Sequence, residues 1–186
     1  MKRLVLFLFL TQTCVLHAQQ RHDDTVDDIL QYSPYAAVAI LKACGVGSRD
    51  TWGKTVMTAV ASWTVSAGVG YALKHTVKET RPDGTDRKSF PSGHAIIVFA
   101  GATNLHKEFG GRSPWISVAG YSMATYVAVS RVIHDRHHWY DVAAGAGIGI
   151  LGTEVGWWLT EKLLHQKKGN IAMGFSGNTL DVCVRW

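Results

Sequence analysis

Residues 55–73, TVMTAVASWTVSAGVGYAL, form a run of nineteen residues without a charged side chain. The run is rich in Ala, Val, Gly and Ser, and small residues of this kind let helices approach each other closely. An α-helix needs roughly 20 mostly apolar residues to cross a bilayer, and this run nearly reaches that length. The stretch predicts a helix in a closely packed bundle, either in a membrane or in water.

Further apolar segments lie on both sides of this run, and they cover residues 35–46, 95–105, 114–130 and 139–164. The tail differs, because apolar residues alternate with small or polar ones on either side of a Ser176-Gly177-Asn178 turn. We therefore predict an all-α fold: a bundle of five to six helices, embedded in or associated with a membrane, with a short C-terminal β-hairpin.

The composition excludes a disordered chain and argues against a nucleic-acid-binding protein. The chain has 186 residues, of which 47% are hydrophobic, so a single domain over residues 19–186 can bury a core. Its net charge is 19 − 14 = +5, but Lys and Arg occur in small, scattered groups rather than on one face. The mean hydropathy of +0.04 fits both a membrane protein and a soluble one.

The first eighteen residues resemble a targeting segment. Lys2 and Arg3 precede the apolar run 4–10, and residues 16–18 offer a cleavage site, so we expect a signal peptide or an uncleaved N-terminal anchor. Residues 74–94 and 130–138 should lie together at one end of the bundle, and the opposite end should hold another set of cations: Arg49, Lys54, Lys107, Arg112, Lys162, Lys167 and Lys168. The positive-inside rule places that second set in the cytoplasm, and therefore the 74–94 and 130–138 groups outside it. We expect an exported protein, in the inner membrane with its site facing the periplasm, or free in the periplasm. Cys44 and Cys183 are either paired or free thiols.

Two stretches carry groups suited to binding phosphate. Lys74 and Arg81 place two cations near each other, and a guanidinium matches the geometry of phosphate oxygens. In the Pro91-Ser92-Gly93-His94 stretch, backbone N–H groups at a helix start form an anion site and the Ser hydroxyl adds a donor. His94 would lie beside the bound anion, where a protonated imidazole can donate to a leaving oxygen.

A third stretch supplies a nucleophile. His137 and Asp141 are four positions apart, so on a helix they would share a face and the carboxylate could reach one ring nitrogen. That contact fixes the tautomer and leaves the other nitrogen free to attack. Arg131 adds a third cation.

Together these stretches, Lys74-x6-Arg81-Pro82, Pro91-Ser92-Gly93-His94 and Ser130-Arg131-x5-His137-x3-Asp141, resemble the complete signature of the type 2 phosphatidic acid phosphatase superfamily. The link of eight residues between Pro82 and Pro91 is shorter than is usual there, and we expect it to narrow the site mouth. The resemblance implies that His137 attacks phosphorus, that Asp141 orients it, and that His94 protonates the leaving alcohol and then activates water. It also implies a phosphate site made of Lys74, Arg81, Ser92, Gly93 and Arg131, with no metal and no cofactor.

The substrate expected from this resemblance is a lipid phosphate monoester. Lipid A phosphate ranks first, because the chain is most similar to small exported bacterial lipid A phosphatases, and polyprenyl diphosphate and phosphatidylglycerol phosphate follow. One alternative is a soluble periplasmic acid phosphatase of broad specificity. The other is a zinc-dependent hydrolase, since a dense set of possible ligands exists: His134, Asp135, His137, His138 and Asp141.

Overall fold

The protein is described by a computed structural model that covers residues 24–176 and 179–184, so the predicted leader at 1–18 lies outside the described residues. Six α-helices occupy the described part of the chain: α1 (Asp24–Leu30), α2 (Ser33–Ala43), α3 (Trp52–Thr76), α4 (Gly93–Phe109), α5 (Pro114–Ile133) and α6 (Trp139–Asn170). The predicted helical bundle is confirmed, and α1 is an additional helix that the sequence analysis did not anticipate.

Two strands, β1 (Ile171–Ser176) and β2 (Thr179–Val184), follow α6 and pair antiparallel. Residues 177 and 178, where the chain would turn, lie outside the described residues, so the hairpin as a whole stays a prediction. Cys44 is an exposed free thiol, whereas the side chain of Cys183 is outside the described set.

Helix α4 lies at the centre of the bundle, and α2, α3, α5 and α6 pack around it. Its side chains are largely small, and Ala95, Val98 and Ala102 are buried almost completely. The first turn of α4 meets α5 and α6 through Ala128 and Val142, while its far end meets α2 through a cluster around Phe109. The amino end of α4 is thus fixed by α5 and α6.

Helix α6 approaches its neighbours through glycines. A Cβ atom at Gly156 would lie 2.5 Å from the backbone nitrogen of Ser62 in α3, and one at Gly145 would lie 2.6 Å from the carbonyl oxygen of Ser92. No side chain fits at these distances, so backbone packs directly on backbone, as in membrane helix bundles. Gly145 therefore holds the start of α6 against the residue that precedes α4.

Three helical segments are long and apolar enough to cross a membrane: Trp52–Thr76, Pro114–Ile133 and Trp139–His165. Large apolar side chains are exposed on all three, among them Val60, Val118 and Leu151. A soluble bundle would turn such residues inward, so the exposed surface of these helices suits lipid contact.

The two ends of the bundle carry different polar groups. At one end Lys42 and Glu108 form a buried ion pair, and Arg49 pairs with Glu161. At the other end the loops 77–92 and 134–138 meet, for example through the Arg136–Asp83 ion pair. All three sequence motifs converge at this second end.

Candidate active site

The Pro91-Ser92-Gly93-His94 stretch forms the entrance to α4. Ser92 is the residue before the first helical turn, and the helix begins at Gly93. The Ser92 side chain is buried, but it does not cap the helix, and its Oγ has no hydrogen-bond partner within the described residues. The first N–H groups of a helix also lack intrahelical partners. Helix start and hydroxyl together make an unused set of donors suited to phosphate oxygens.

His137 and Asp141 meet, although not in the way the sequence predicts. His137 lies in the loop before α6, and only Asp141 is in the helix, so the pair does not share a helical face. The His137 Nδ1 atom lies 3.7 Å from Asp141 Oδ2, an ion-pair distance and too long for a hydrogen bond. This geometry directs Nδ1 to the carboxylate, and the other ring nitrogen, Nε2, is the one that could act as a nucleophile.

Asp141 is held in place by groups that the sequence analysis missed. Its Oδ2 atom accepts hydrogen bonds from Ser89 Oγ at 2.5 Å and from the backbone N–H of His138 at 2.9 Å. Its carbonyl oxygen accepts the N–H of Ser92 at 3.0 Å. Asp141 therefore joins two motifs, because one residue positions both His137 and the turn before α4.

The three predicted cations lie around His137. Lys74, in the last turn of α3, donates to the carbonyl oxygen of Lys88 at 3.1 Å, and Arg81 donates through Nε to Asp86 at 2.9 Å. Arg131, in the last turn of α5, is buried. Lys74 and Arg81, from one motif, thus lie near the same histidine as Arg131, which comes from another helix.

These cations and burial act together on the nucleophile. Burial, the largest cause, and the positive charges of Arg81, Lys74 and Arg131 together lower the pKa of His137 to about 4, against the opposing charge of Asp141. Imidazole is a nucleophile only in its neutral form, so His137 is ready to attack at ordinary pH.

The short link between Pro82 and Pro91 forms a turn that is held by its own hydrogen bonds. Gly84 adopts a left-handed conformation with φ +72° and donates its N–H to the Arg81 carbonyl. Asp83 Oδ1 accepts from the N–H and hydroxyl of Thr85, while Asp83 Oδ2 accepts from Arg136 at 3.0 Å. The link is therefore tied to the 134–138 loop, which forms the opposite side of the site.

His94 is placed by helix α1. Its Nε2 atom lies 2.7 Å from Asp28 Oδ1, and the neighbouring Asp27 is buried against Ser130 and Arg131. Burial and the charge of Arg131 lower the pKa of His94 from 6.5, whereas the hydrogen bond and charge of Asp28 and the charge of Asp27 act to raise it. Neither aspartate was a candidate from sequence, because α1 is short and distant from every motif.

Two of the histidines in the zinc hypothesis make other contacts. His138 Nε2 lies 3.3 Å from the carbonyl oxygen of Thr80, and His134 Nδ1 lies 3.3 Å from Ser130 Oγ. Among the described residues, no three His, Cys, Asp or Glu side chains converge as metal ligands would. The geometry gives that alternative no ligand set.

The arrangement suits transfer of a phosphoryl group. A neutral histidine faces three cations, free donors lie at the start of α4, and a second histidine lies at the same helix start. Phosphoryl transfer depends mainly on such positioning and on the stabilisation of the negative charge that spreads over the equatorial oxygens of the phosphoryl group.

Comparison with known proteins supports this interpretation. A curated lipid A 1-phosphatase from Porphyromonas gingivalis is 37% identical over 145 residues, which are 77% of this chain and 33% of that protein. The chain thus spans about a third of the length of that relative. Lipid phosphate phosphatase 1 of Saccharomyces cerevisiae is 43% identical over 67 residues, which are 34% of this chain and 24% of that protein.

The fold has a counterpart among solved structures. The crystal structure of LpxE from Aquifex aeolicus superposes with a TM-score of 0.56 at 21% identity, and covers 74% of this chain and 87% of that one. At this identity the likeness shows the fold alone. The family model of the PAP2 superfamily matches residues 55–164, more than half of the chain and all three motifs. The resemblance drawn from the motifs is thereby confirmed, and the chain belongs to the PAP2 superfamily.

Proposed function

We propose that this chain is a phosphatase that hydrolyses a lipid phosphate monoester through a phosphohistidine intermediate. The observation that carries this proposal is the environment of His137, a buried imidazole with its pKa lowered to about 4, between the Asp141 carboxylate and three cations. A neutral imidazole in this position can attack phosphorus itself, without a metal-bound water.

In the first step His137 Nε2 attacks phosphorus, and the bond from phosphorus to the leaving oxygen breaks. Protonated His94 gives its proton to that oxygen, so an alcohol leaves and His94 becomes neutral. The phosphoryl oxygens are held by Lys74, Arg81 and Arg131, by Ser92 Oγ, and by the N–H of Gly93. Asp141 stabilises the charge that develops on His137.

In the second step neutral His94 takes a proton from water, and the water oxygen attacks phosphorus. The bond between phosphorus and Nε2 breaks, inorganic phosphate leaves, and both histidines return to their starting states. His94 thus acts as general acid in the first step and as general base in the second.

The substrate we favour is lipid A phosphate, with polyprenyl diphosphate and phosphatidylglycerol phosphate as the next candidates. Two observations support a lipid: the exposed apolar surface of the three long helices, and the relatives, whose names specify lipid A or lipid phosphate. We place the chain in the inner membrane with the catalytic end facing the periplasm. Arg49, Lys54, Lys107 and Arg112 gather at the other end, whereas three cations of the catalytic end, Lys74, Arg81 and Arg131, are assigned to the phosphate.

Replacement of the nucleophile tests the mechanism. The His137→Ala variant, purified in detergent, should release no phosphate from lipid A, and mass spectrometry should show its phosphates intact. His75→Ala is the matched control, because His75 is exposed at the same end of the bundle and occupies an unspecified position of the first motif. Retained turnover in His137→Ala would exclude His137 as nucleophile.

Inhibitors separate this mechanism from a zinc-dependent one. We expect activity to survive EDTA and to be blocked by vanadate, which mimics the phosphoryl transition state. An acid-labile phosphoryl group on the wild-type protein, absent from His137→Ala, would identify the intermediate. Inactivation by EDTA that zinc reverses would instead favour the metal site.

Cysteine labelling tests the orientation. Cys44 lies at the end opposite the site, and Thr85 is exposed in the link between motifs. In intact spheroplasts, a membrane-impermeant maleimide should label a Thr85→Cys variant from which the three native cysteines have been removed. It should not label one that retains Cys44 alone. The reverse pattern would overturn the orientation, and labelling of both, with extraction in the absence of detergent, would favour the soluble acid phosphatase.

A further inference from the structure

The contact between α1 and the start of α4 assigns a role to a residue outside all three motifs. Asp28 Oδ1 lies 2.7 Å from His94 Nε2, within hydrogen-bond distance. The Asp28 side chain is 58% exposed and that of His94 is 20% exposed, so the contact lies at the rim of the site. A carboxylate at this distance fixes which ring nitrogen of a histidine carries a proton towards it.

The position of Asp28 is set by its buried neighbour. Asp27 Oδ2 accepts a hydrogen bond from Ser130 Oγ at 2.8 Å and one from Arg131 Nη1 at 3.2 Å. Leu30 in the same helix packs against the apolar cluster that contains Val98. Helix α1 is therefore fastened to α4 and α5 on both sides of Asp28, and this attachment holds the Asp28 carboxylate at His94.

The contact answers a requirement of the proposed chemistry. A general acid must be protonated when the leaving oxygen departs, yet burial and the charge of Arg131 both favour neutral His94. Asp28 and Asp27 are the negative groups that oppose them. Without the Asp28 carboxylate, less of His94 would be in the protonated form.

We propose that Asp28 is a positioning residue for the general acid: its carboxylate accepts the Nε2–H of His94, so that Nδ1 carries the proton given to the leaving alkoxide. The inference rests on the proposed function. When the bond between phosphorus and oxygen breaks, the Nδ1 proton moves to that oxygen, and His94 keeps its Nε2–H on Asp28. Neutral Nδ1 then recovers a proton from the attacking water.

The test compares leaving groups. An alkyl phosphate needs protonation of its leaving oxygen, whereas p-nitrophenyl phosphate, with a stable leaving anion, needs little. We expect Asp28→Asn to lower kcat/KM, which covers the steps up to departure of the leaving group, about tenfold or more on the alkyl phosphate and roughly threefold or less on the aryl phosphate, since general acids contribute on the order of a hundredfold or more. Asp28→Glu should restore most of the alkyl activity, and Glu161→Gln, which removes an exposed carboxylate at the opposite end, should leave both unchanged.

Two further measurements exclude a merely structural role. In a His94→Asn background, Asp28→Asn should cause no further loss. By NMR titration, the His94 pKa should be lower in Asp28→Asn than in the wild type. Equal losses on both substrates, a gain in activity, or an unchanged His94 pKa would overturn the inference. A wild-type protein that hydrolyses no phosphate ester would contradict the proposed function, and the NMR comparison would still decide the contact between Asp28 and His94.

Discussion

The two histidines that we propose as catalytic should give opposite limbs to the pH dependence of activity. His137 must be neutral to attack, so kcat/KM should fall as the pH drops through its pKa of about 4. His94 must be protonated to donate, so kcat/KM should fall as the pH rises through its pKa, which lies below 6.5. We therefore expect an acidic optimum for the free enzyme, measured on a substrate whose own ionisation is corrected for.

The acid limb can be shifted by one nearby charge. Arg81→Gln removes a cation that disfavours imidazolium, so the limb assigned to His137 should move to higher pH, together with weaker phosphate binding. Arg87→Gln, in the exposed part of the same link, should leave the limb in place. A limb that does not move in Arg81→Gln would show that His137 is not the group titrating.

Ser89 lies behind the proposed nucleophile, His137, because it holds Asp141. Its hydroxyl donates to Asp141 Oδ2, the oxygen nearest His137, so Ser89→Ala should lower kcat about tenfold, or ~1.4 kcal/mol, with little change in KM. Ser62→Ala, a buried serine remote from the site, is the control and should leave kcat unchanged. A matching loss in both variants would point to a general packing effect.

The motif residues could be predicted from sequence, whereas their supports could not. Each of the eight predicted site residues belongs to a stretch with distinct phosphate or proton chemistry, which is why the sequence identifies it. The structure brings all eight to one end of the bundle. Ser89, by contrast, is an ordinary serine whose partner lies 52 positions later. Its role arises only from the packing of the loop against α6.

Among the helices, α6 positions the site through one glycine. A methyl group at Gly145 would press on the Ser92 carbonyl and on Ala95, whereas nothing lies within 4 Å of a Cβ at Gly147. Gly145→Ala should therefore destabilise the protein by roughly 1–3 kcal/mol and lower kcat, as overpacking does. Gly147→Ala should stabilise it by about 0.5–1 kcal/mol through helix propensity alone. Thermal melts and kcat of the pair in the same detergent check this, and equal behaviour of the two variants would contradict it.

Helix α1 shows where prediction from the pattern ends. Its sequence, DTVDDIL, has seven residues and three aspartates, too short and too acidic for a periodicity argument. Asp27 is buried beside Ser130 and Arg131, partners that lie more than 100 positions later in the chain. The longer helices were predictable, since their apolar runs identify them without reference to any partner.

The proposed active site and the buried ion pair Lys42–Glu108 lie at opposite ends of the bundle. Lys42 at the end opposite the site donates to Thr55 Oγ1 at 2.7 Å and pairs with Glu108 at 3.5 Å, and both charged side chains are almost fully buried. Lys42→Met should cost about 3–5 kcal/mol of stability, because it leaves Glu108 as a buried charge without its partner. Turnover per folded molecule should stay near that of the wild type.

Two variants make that measurement specific. Combining Lys42→Met with Glu108→Leu should recover much of the lost stability, since no lone charge remains. Lys54→Met removes a more exposed pair with Asp50 and should cost no more than ~1 kcal/mol. A large fall in kcat for Lys42→Met at full folding would mean that the two ends communicate.

The link between Pro82 and Pro91 has a consequence for how a lipid is chosen. Its aspartates bond within the turn and to Arg136, so the rim of the site is a fixed edge rather than a flap that folds over a bound molecule. A fixed edge sorts ligands by their shape on arrival. We therefore expect a terminal phosphate that projects from the bilayer to reach His137, and a diester phosphate to be kept away by the group attached to its far side. A preference for phosphomonoesters would then come from steric exclusion at the rim of the site, before any bond is made or broken.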